Sequence, residues 1–190
     1  EDRALLETAV LFSVFHKYSP QMDVHIERQN KTSTLLKAPF GVEIIRELVD
    51  AEIEAERAQR ICGLFYQVRR AFFFIAQSLT GSSDSIQRVR EQLWDNVFTR
   101  DMKHYEAVLW DRMEDFSTFI VGATGTGKGS AAAAIGRSGW IPYSPESQKF
   151  EWNFRDAFVS VNLSEFAETL IESELFGHRK GAFTGAIDAH

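Results

Sequence analysis

The feature that most constrains this sequence is a glycine-rich stretch, Gly122-Ala123-Thr124-Gly125-Thr126-Gly127-Lys128, with the spacing G-x-x-x-x-G-K. The glycines let the backbone turn tightly, so that successive N–H groups point at phosphate oxygens. Lys128 adds a mobile positive charge for the β- and γ-phosphates. A short apolar strand predicted over residues 119–121 and an alanine-rich helix over 130–135 flank the stretch, and the amino end of that helix adds partial positive charge. We therefore predict an α/β fold with a phosphate-binding P-loop formed by Gly122, Ala123, Thr124, Gly125, Thr126, Gly127, Lys128 and Gly129.

The groups that catalyse hydrolysis are less complete than the binding loop. Gly129 stands where a Ser or Thr normally holds Mg²⁺, so either water or Thr126 substitutes, or metal binding is weakened. A second strand predicted over residues 158–162 ends in Asn162 rather than in the Asp that positions Mg²⁺ and water in P-loop enzymes. We expect the catalytic acids beyond His190, and a chain that binds nucleotide but hydrolyses it poorly or not at all. The alternative is a glycine-rich turn that binds nothing.

The region before the loop has mainly helical periodicity. Apolar residues recur at steps of three and four over residues 42–79, which indicates a long helix. That helix either joins two domains or forms a coiled coil, or it is a core helix broken near Cys62-Gly63. The remaining predictions are a helix over 4–16, a loop with a short strand over 19–40, a helix capped by Ser82 or Ser83, helix or loop over 99–115, and a surface linker over 137–156.

Charge and composition exclude several classes of protein. The net charge is −6, with 11 acidic and 10 basic residues in 1–77 and 16 and 11 in 78–190, so neither half has the basic excess of a nucleic-acid-binding domain. The basic pair Arg69 and Arg70 is interpreted as a solvated helix face. No apolar run approaches the roughly 20 residues that cross a membrane. The chain begins with Glu1 and has no signal peptide, so we expect a cytoplasmic segment of a longer or processed protein.

A second motif, Gly181-Ala182-Phe183-Thr184-Gly185-Ala186, places a large aromatic side chain between small residues. Such a sequence is typical of a hairpin tip whose exposed Phe183 contacts a partner, although a buried Phe in a tight turn fits it equally well.

The longer string E-S-E-L-F-G-H-x-K-G-A-F-T-G-A, at residues 172–186, resembles the signature of sigma-54-dependent transcription activators, also called bacterial enhancer-binding proteins. The resemblance spans about residues 79–190 and includes the P-loop. It implies an incomplete AAA+ parallel-sheet core over 78–190, preceded by a mostly helical regulatory or coupling region over 1–77. Residues 99–115 and 137–156 are longer than the family's usual connections.

The resemblance also implies roles for individual residues. Residues 122–128 would bind ATP with Mg²⁺, and Asn162 would match the family's nucleotide-sensing asparagine. Phe183 and Thr184 would contact the sigma-54 factor, with Glu174 and Lys180 setting the geometry of their loop. The full-length protein would be an ATPase acting as a homo-oligomeric ring, with DNA bound only by a domain outside this chain. Two rivals are another P-loop ATPase and an interaction module that binds without turnover.

Overall fold

A computed structural model describes residues 2–112 and 115–166 of the chain. Contacts divide the chain into two compact units, Glu1–Phe158 and Val159–His190. The elements of the first unit are α1 (Asp2–Gln29), α2 (Phe40–Asp50), α3 (Ala55–Ser78), α4 (Asp84–Phe98), α5 (Met102–His104) with a π-helical turn (Tyr105–Leu109), α6 (Lys128–Gly136), β1 (Tyr143–Ser144) and β2 (Lys149–Phe150). In the second unit, a 3₁₀ turn covers Leu163–Glu165.

Helix α1 runs through Pro20, so the loop predicted from residue 19 is wrong as far as Gln29. Proline removes one backbone donor from a helix. Met22 and Ile26, which lie beyond Pro20, are fully buried. Burial of this inner face therefore outweighs the local cost of the proline.

The long helix predicted over 42–79 is two helices, and the break lies at residues 51–54 rather than near Cys62-Gly63. Glu52 has a left-handed φ of 67°, which stops α2. The Glu54 carboxylate then accepts hydrogen bonds from the amides of Glu56 and Arg57 and begins α3. Both helices pack on α1, which supports the prediction of core helices over that of a domain-joining rod.

The start of α4 agrees with the predicted cap. The Ser83 hydroxyl accepts a hydrogen bond from the Ile86 amide, and Asp84 lies in the first turn. The 99–115 region, predicted as helix or loop, contains α5 and the π-helical turn.

Residues 137–156 contribute several side chains to the core, so the prediction of a surface linker is wrong. Strands β1 and β2 pair in antiparallel fashion, with Tyr143 opposite Phe150. Both side chains are buried, and the Tyr143 hydroxyl donates to the Ala38 carbonyl oxygen at 2.8 Å. A Cβ on Gly41 would lie within 2.7 Å of three ring atoms of Tyr143, so α2 and the hairpin fit only because that residue is glycine.

The two strands predicted beside the P-loop, over 119–121 and 158–162, are not formed among the described residues. A central parallel strand is buried on both faces and bonded to neighbours on both edges. Phe119 and Val121 are instead 92% and 79% exposed, and Val159 is 77% exposed. The predicted parallel sheet is therefore absent from the described part of the chain, where the one sheet is the β1–β2 hairpin.

The first unit crosses the predicted boundary at residue 77. Helix α6, which follows the P-loop, packs against α3 and α4. The assignment of residues 1–77 and 78–190 to separate roles stays a prediction. Across the described ranges, none of the helices has the length and apolarity needed to cross a membrane.

Replacing Gly63 with Ala tests the close approach of α3 to the segment after α6. An added Cβ would lie 2.5 Å from the Trp140 ring nitrogen and 3.0 Å from the Ile141 carbonyl oxygen. Alanine in a helix interior normally gains about 1 kcal/mol over glycine. We expect Gly63→Ala instead to lower the free energy of unfolding by about 1–3 kcal/mol, measured by urea denaturation.

Gly139→Ala is the matched control, because its Cβ would meet nothing within 4 Å. A Gly63→Ala protein as stable as the parent chain would contradict the contact.

Candidate functional site

The loop over residues 122–127 has the backbone geometry that its glycines permit. Gly125 and Gly127 have φ values of 82° and 86°, in the left-handed region that side chains disfavour. The Thr126 hydroxyl donates to the Ala123 carbonyl oxygen at 2.8 Å, which closes the turn. Residues 122–126 are exposed, so the loop is accessible to a ligand.

Helix α6 begins directly at the end of this loop. The cap residue is Gly127, which has no side chain to accept hydrogen bonds from the first amides of the helix. The first amides of any α-helix have no intrahelical acceptor. Together with the helix dipole, they make the amino end of α6 suited to binding an anion.

Lys128 lies at the first position of α6 and folds back over the loop. Its ammonium group donates to the carbonyl oxygens of Gly122 at 2.9 Å and Ala123 at 2.8 Å. A positive charge therefore lies over the glycine turn that leads into the amino end of α6. A Cβ added at Gly129, by contrast, would meet nothing within 4 Å, and the position offers no side-chain oxygen to a metal.

Small side chains form the buried face of α6. Ala131 and Ala134 are buried, and the helix packs on α3 and α4. The amino end of the packed helix lies at the surface, next to the loop.

A match to a known family covers half of the chain. The model of the sigma-54 interaction domain matches residues 96–190, which include the loop, α6 and the 172–186 string. The chain belongs to the sigma-54 interaction domain family. This domain is an AAA+ domain, which implies a P-loop fold, and the described residues contain only an incomplete core of that kind.

Several proteins similar to this chain are named as transcriptional regulators. The chain is 34% identical over 126 residues to the DNA-binding transcriptional activator HyfR of Escherichia coli K12, and the match covers 60% of this chain and 17% of HyfR. It is 33% identical over 143 residues to the Nif-specific regulatory protein of Azotobacter vinelandii, covering 75% of this chain and 22% of that protein. A sigma54-dependent transcriptional activator, SfnR of Pseudomonas putida, is 44% identical over 73 residues, or 38% of this chain and 17% of SfnR. The chain thus spans only about a fifth of these relatives. No solved structure matches it significantly.

The other predicted site residues of this sigma-54 interaction domain lie in the second unit. Asn162 is exposed and caps the 3₁₀ turn, accepting a hydrogen bond from the Ser164 hydroxyl at 2.8 Å and donating to the Glu165 carboxylate at 2.8 Å. These contacts are local to the turn, and the nucleotide-sensing role of Asn162 stays a prediction. The partner motif Gly181–Ala186, with Phe183 and Thr184, lies outside the described residues, as do Glu174 and Lys180.

One residue of functional interest was misjudged from the sequence. Arg69 and Arg70 were interpreted as a solvated pair, but Arg70 is fully buried and Arg69 forms an ion pair with Asp23. The sequence does carry a signal, because Arg70 lies one helical turn after Tyr66 and one turn before Phe74. Aromatic side chains at those spacings can cover a guanidinium group.

Two glycines of the loop provide a matched test of its geometry. Gly127→Ala forces a Cβ into the left-handed region and should cost about 1–2 kcal/mol of unfolding free energy. Gly129→Ala places a Cβ in open space within a helix and should be neutral or stabilising by up to about 1 kcal/mol. Urea denaturation measures both, and equal effects would contradict the left-handed turn.

Proposed function

We propose that this chain is the ATP-binding part of a sigma-54-dependent transcriptional activator, which uses ATP hydrolysis to remodel sigma-54 RNA polymerase at promoters. The observation that carries the proposal is the placement of Lys128 and a bare helix amino end on one glycine turn within a sigma-54 interaction domain.

The binding step follows from charge and donors. Residues Gly122–Gly129 offer main-chain N–H groups, and the dipole of α6 adds partial positive charge at the same place. The Lys128 ammonium group is held by two exposed carbonyl oxygens, so it can exchange these for phosphate oxygens at little cost. A triphosphate is the ligand class that uses all of these donors together.

Magnesium would accompany the triphosphate. The exposed Thr126 hydroxyl donates to a carbonyl oxygen, and its oxygen keeps lone pairs that can bind a metal ion. With Gly129 unable to contribute, Thr126, water and the phosphates themselves would hold the ion. Mg²⁺ bound with ATP neutralises charge that develops on the phosphates during hydrolysis.

The action on polymerase belongs to the complete protein. We propose that Phe183 and Thr184, at the tip of the Gly181–Ala186 motif, contact the sigma-54 factor in the bacterial cytoplasm. The complete protein would form a homo-oligomeric ring, bind DNA through a separate domain, and use residues 1–77 as a regulatory or coupling region. A second candidate, nucleotide binding without turnover, is favoured for this chain alone by the missing hydroxyl at Gly129.

Removal of the lysine charge tests the nucleotide site. Lys128→Ala should raise the dissociation constant for ATP with Mg²⁺ by about tenfold or more, because a charge-assisted hydrogen bond to phosphate is lost. Isothermal titration calorimetry measures the constant. Lys31→Ala, at an exposed turn position, is the control and should bind as the parent chain does. Equal affinity in the two variants would remove the role proposed for the loop.

Removal of the aromatic tip tests the partner. In the complete protein trapped with ADP and a metal fluoride, Phe183→Ala should weaken sigma-54 binding by more than about tenfold while ATP affinity is unchanged. Phe116→Ala, at a phenylalanine that is 65% exposed, is the control. If sigma-54 binds the Phe183→Ala protein as tightly as the control, the motif is not the contact.

A further inference from the structure

Helix α3 binds the carboxyl end of the P-loop helix through three successive main-chain carbonyls. Arg70 donates to the carbonyl oxygens of Arg137 at 2.8 Å and Gly139 at 2.5 Å. Gln67, one turn earlier on α3, donates to the Ser138 carbonyl oxygen between them at 2.9 Å. We call Gln67 and Arg70 the α3 clamp. The main chain that leaves α6 is therefore held at every residue from 137 to 139.

The guanidinium of the clamp is suited to this position. Arg70 is fully buried, with its guanidinium carbon 4.9 Å from the Tyr66 ring centre and 5.8 Å from that of Phe154. Burial lowers the pKa of Arg70 to about 10, so the group keeps its charge at neutral pH. A cation at the carboxyl end of a helix interacts favourably with the helix dipole.

The amide of the clamp reaches a third element. The Gln67 amide nitrogen also donates to the Tyr105 hydroxyl at 2.7 Å, in the π-helical turn that follows α5. Tyr105 in turn packs edge to face on Phe98 at the end of α4. The clamp thus links the segment after α6 to the π-helical turn and, through Tyr105, to the end of α4.

Helix α6 is short and continuous, so we expect its two ends to move together. The helix has nine residues, which corresponds to about 14 Å, and its inner alanines leave it close to α3. Lys128 and the anion-binding amides lie at one end and the clamped carbonyls at the other. A tilt imposed at the carboxyl end therefore displaces the donors at the amino end.

We propose that Gln67 and Arg70 are positioning residues that set the pose of the P-loop helix, and so couple the helical region before the loop to nucleotide affinity. The proposal rests on the nucleotide site proposed above. Because coupling between two sites is reciprocal, a change in α3 alters ATP affinity, and bound ATP alters the stability of α3 at the clamp.

The chain offers a matched control for the clamp. Arg69 lies next to Arg70 on α3 and also makes a two-pronged contact, to the Asp23 carboxylate at 2.8 and 2.6 Å, but this contact joins α3 to α1 and not to α6. Replacing either arginine with lysine keeps the positive charge but removes the planar guanidinium group that donates two hydrogen bonds at once. A purely structural role for Arg70 predicts that both variants lose stability and neither loses ATP affinity.

Calorimetric titration of ATP with Mg²⁺ into the 190-residue chain, at a temperature where every variant is folded, separates these possibilities. We expect Arg70→Lys to weaken ATP binding by about tenfold and Arg69→Lys to leave it within about twofold of the parent. Lys128→Ala is measured beside them. If Lys128→Ala loses affinity while Arg70→Lys binds like Arg69→Lys, the coupling is wrong and the nucleotide site stands. If the parent chain binds no ATP, or Lys128→Ala binds normally, both proposals fall.

A second measurement needs no variant and applies even if Arg70→Lys does not fold. In hydrogen exchange of the parent chain, saturating ATP should slow the amides of α3 around residues 67–74 and those of 137–141, as well as the loop. Slowing confined to the loop and the first turn of α6 would overturn the proposal.

Discussion

A buried positive charge at the carboxyl end of the P-loop helix constrains how the first unit is assembled. Among the described residues, the partners of Arg70 are carbonyl oxygens and aromatic rings. A guanidinium removed from water is costly unless such partners are present. Separating α6 from α3 would break the hydrogen bonds that Arg70 donates to Arg137 and Gly139, so the two helices are expected to stay together.

This constraint explains why the candidate site combines a packed helix, α6, with an exposed loop over residues 122–126. The buried side of α6 consists of small alanines and clamped carbonyls, which leave little freedom for the helix to rotate. The loop at the other end is exposed, and its turn depends on left-handed glycines rather than on packing. A loop that is accessible yet fixed at its base can bind a charged ligand without first becoming ordered.

The sequence predicted those parts of the molecule that depend on local chemistry. The P-loop spacing, the helix after it and the Ser83 cap could be predicted, because each depends on a few adjacent residues. The course of α1 through Pro20 and the position of the α2–α3 break depend on burial and on an unusual glutamate cap. The predictions of strands over 119–121 and 158–162 were wrong, because a strand also needs neighbouring strands to pair with, and these cannot be deduced from a local sequence pattern. Arg70 was misjudged because its partners lie 67 and 69 residues away in the chain.

Denaturant-dependent native-state hydrogen exchange measures directly whether α3 and the P-loop helix form one cooperative unit. Amides in the core of α3 and amides over residues 131–136 should open with the same free energy and the same dependence on denaturant. Opening of residues 131–136 at much lower free energy, with α3 still protected, would contradict the view that a buried arginine joins the two helices.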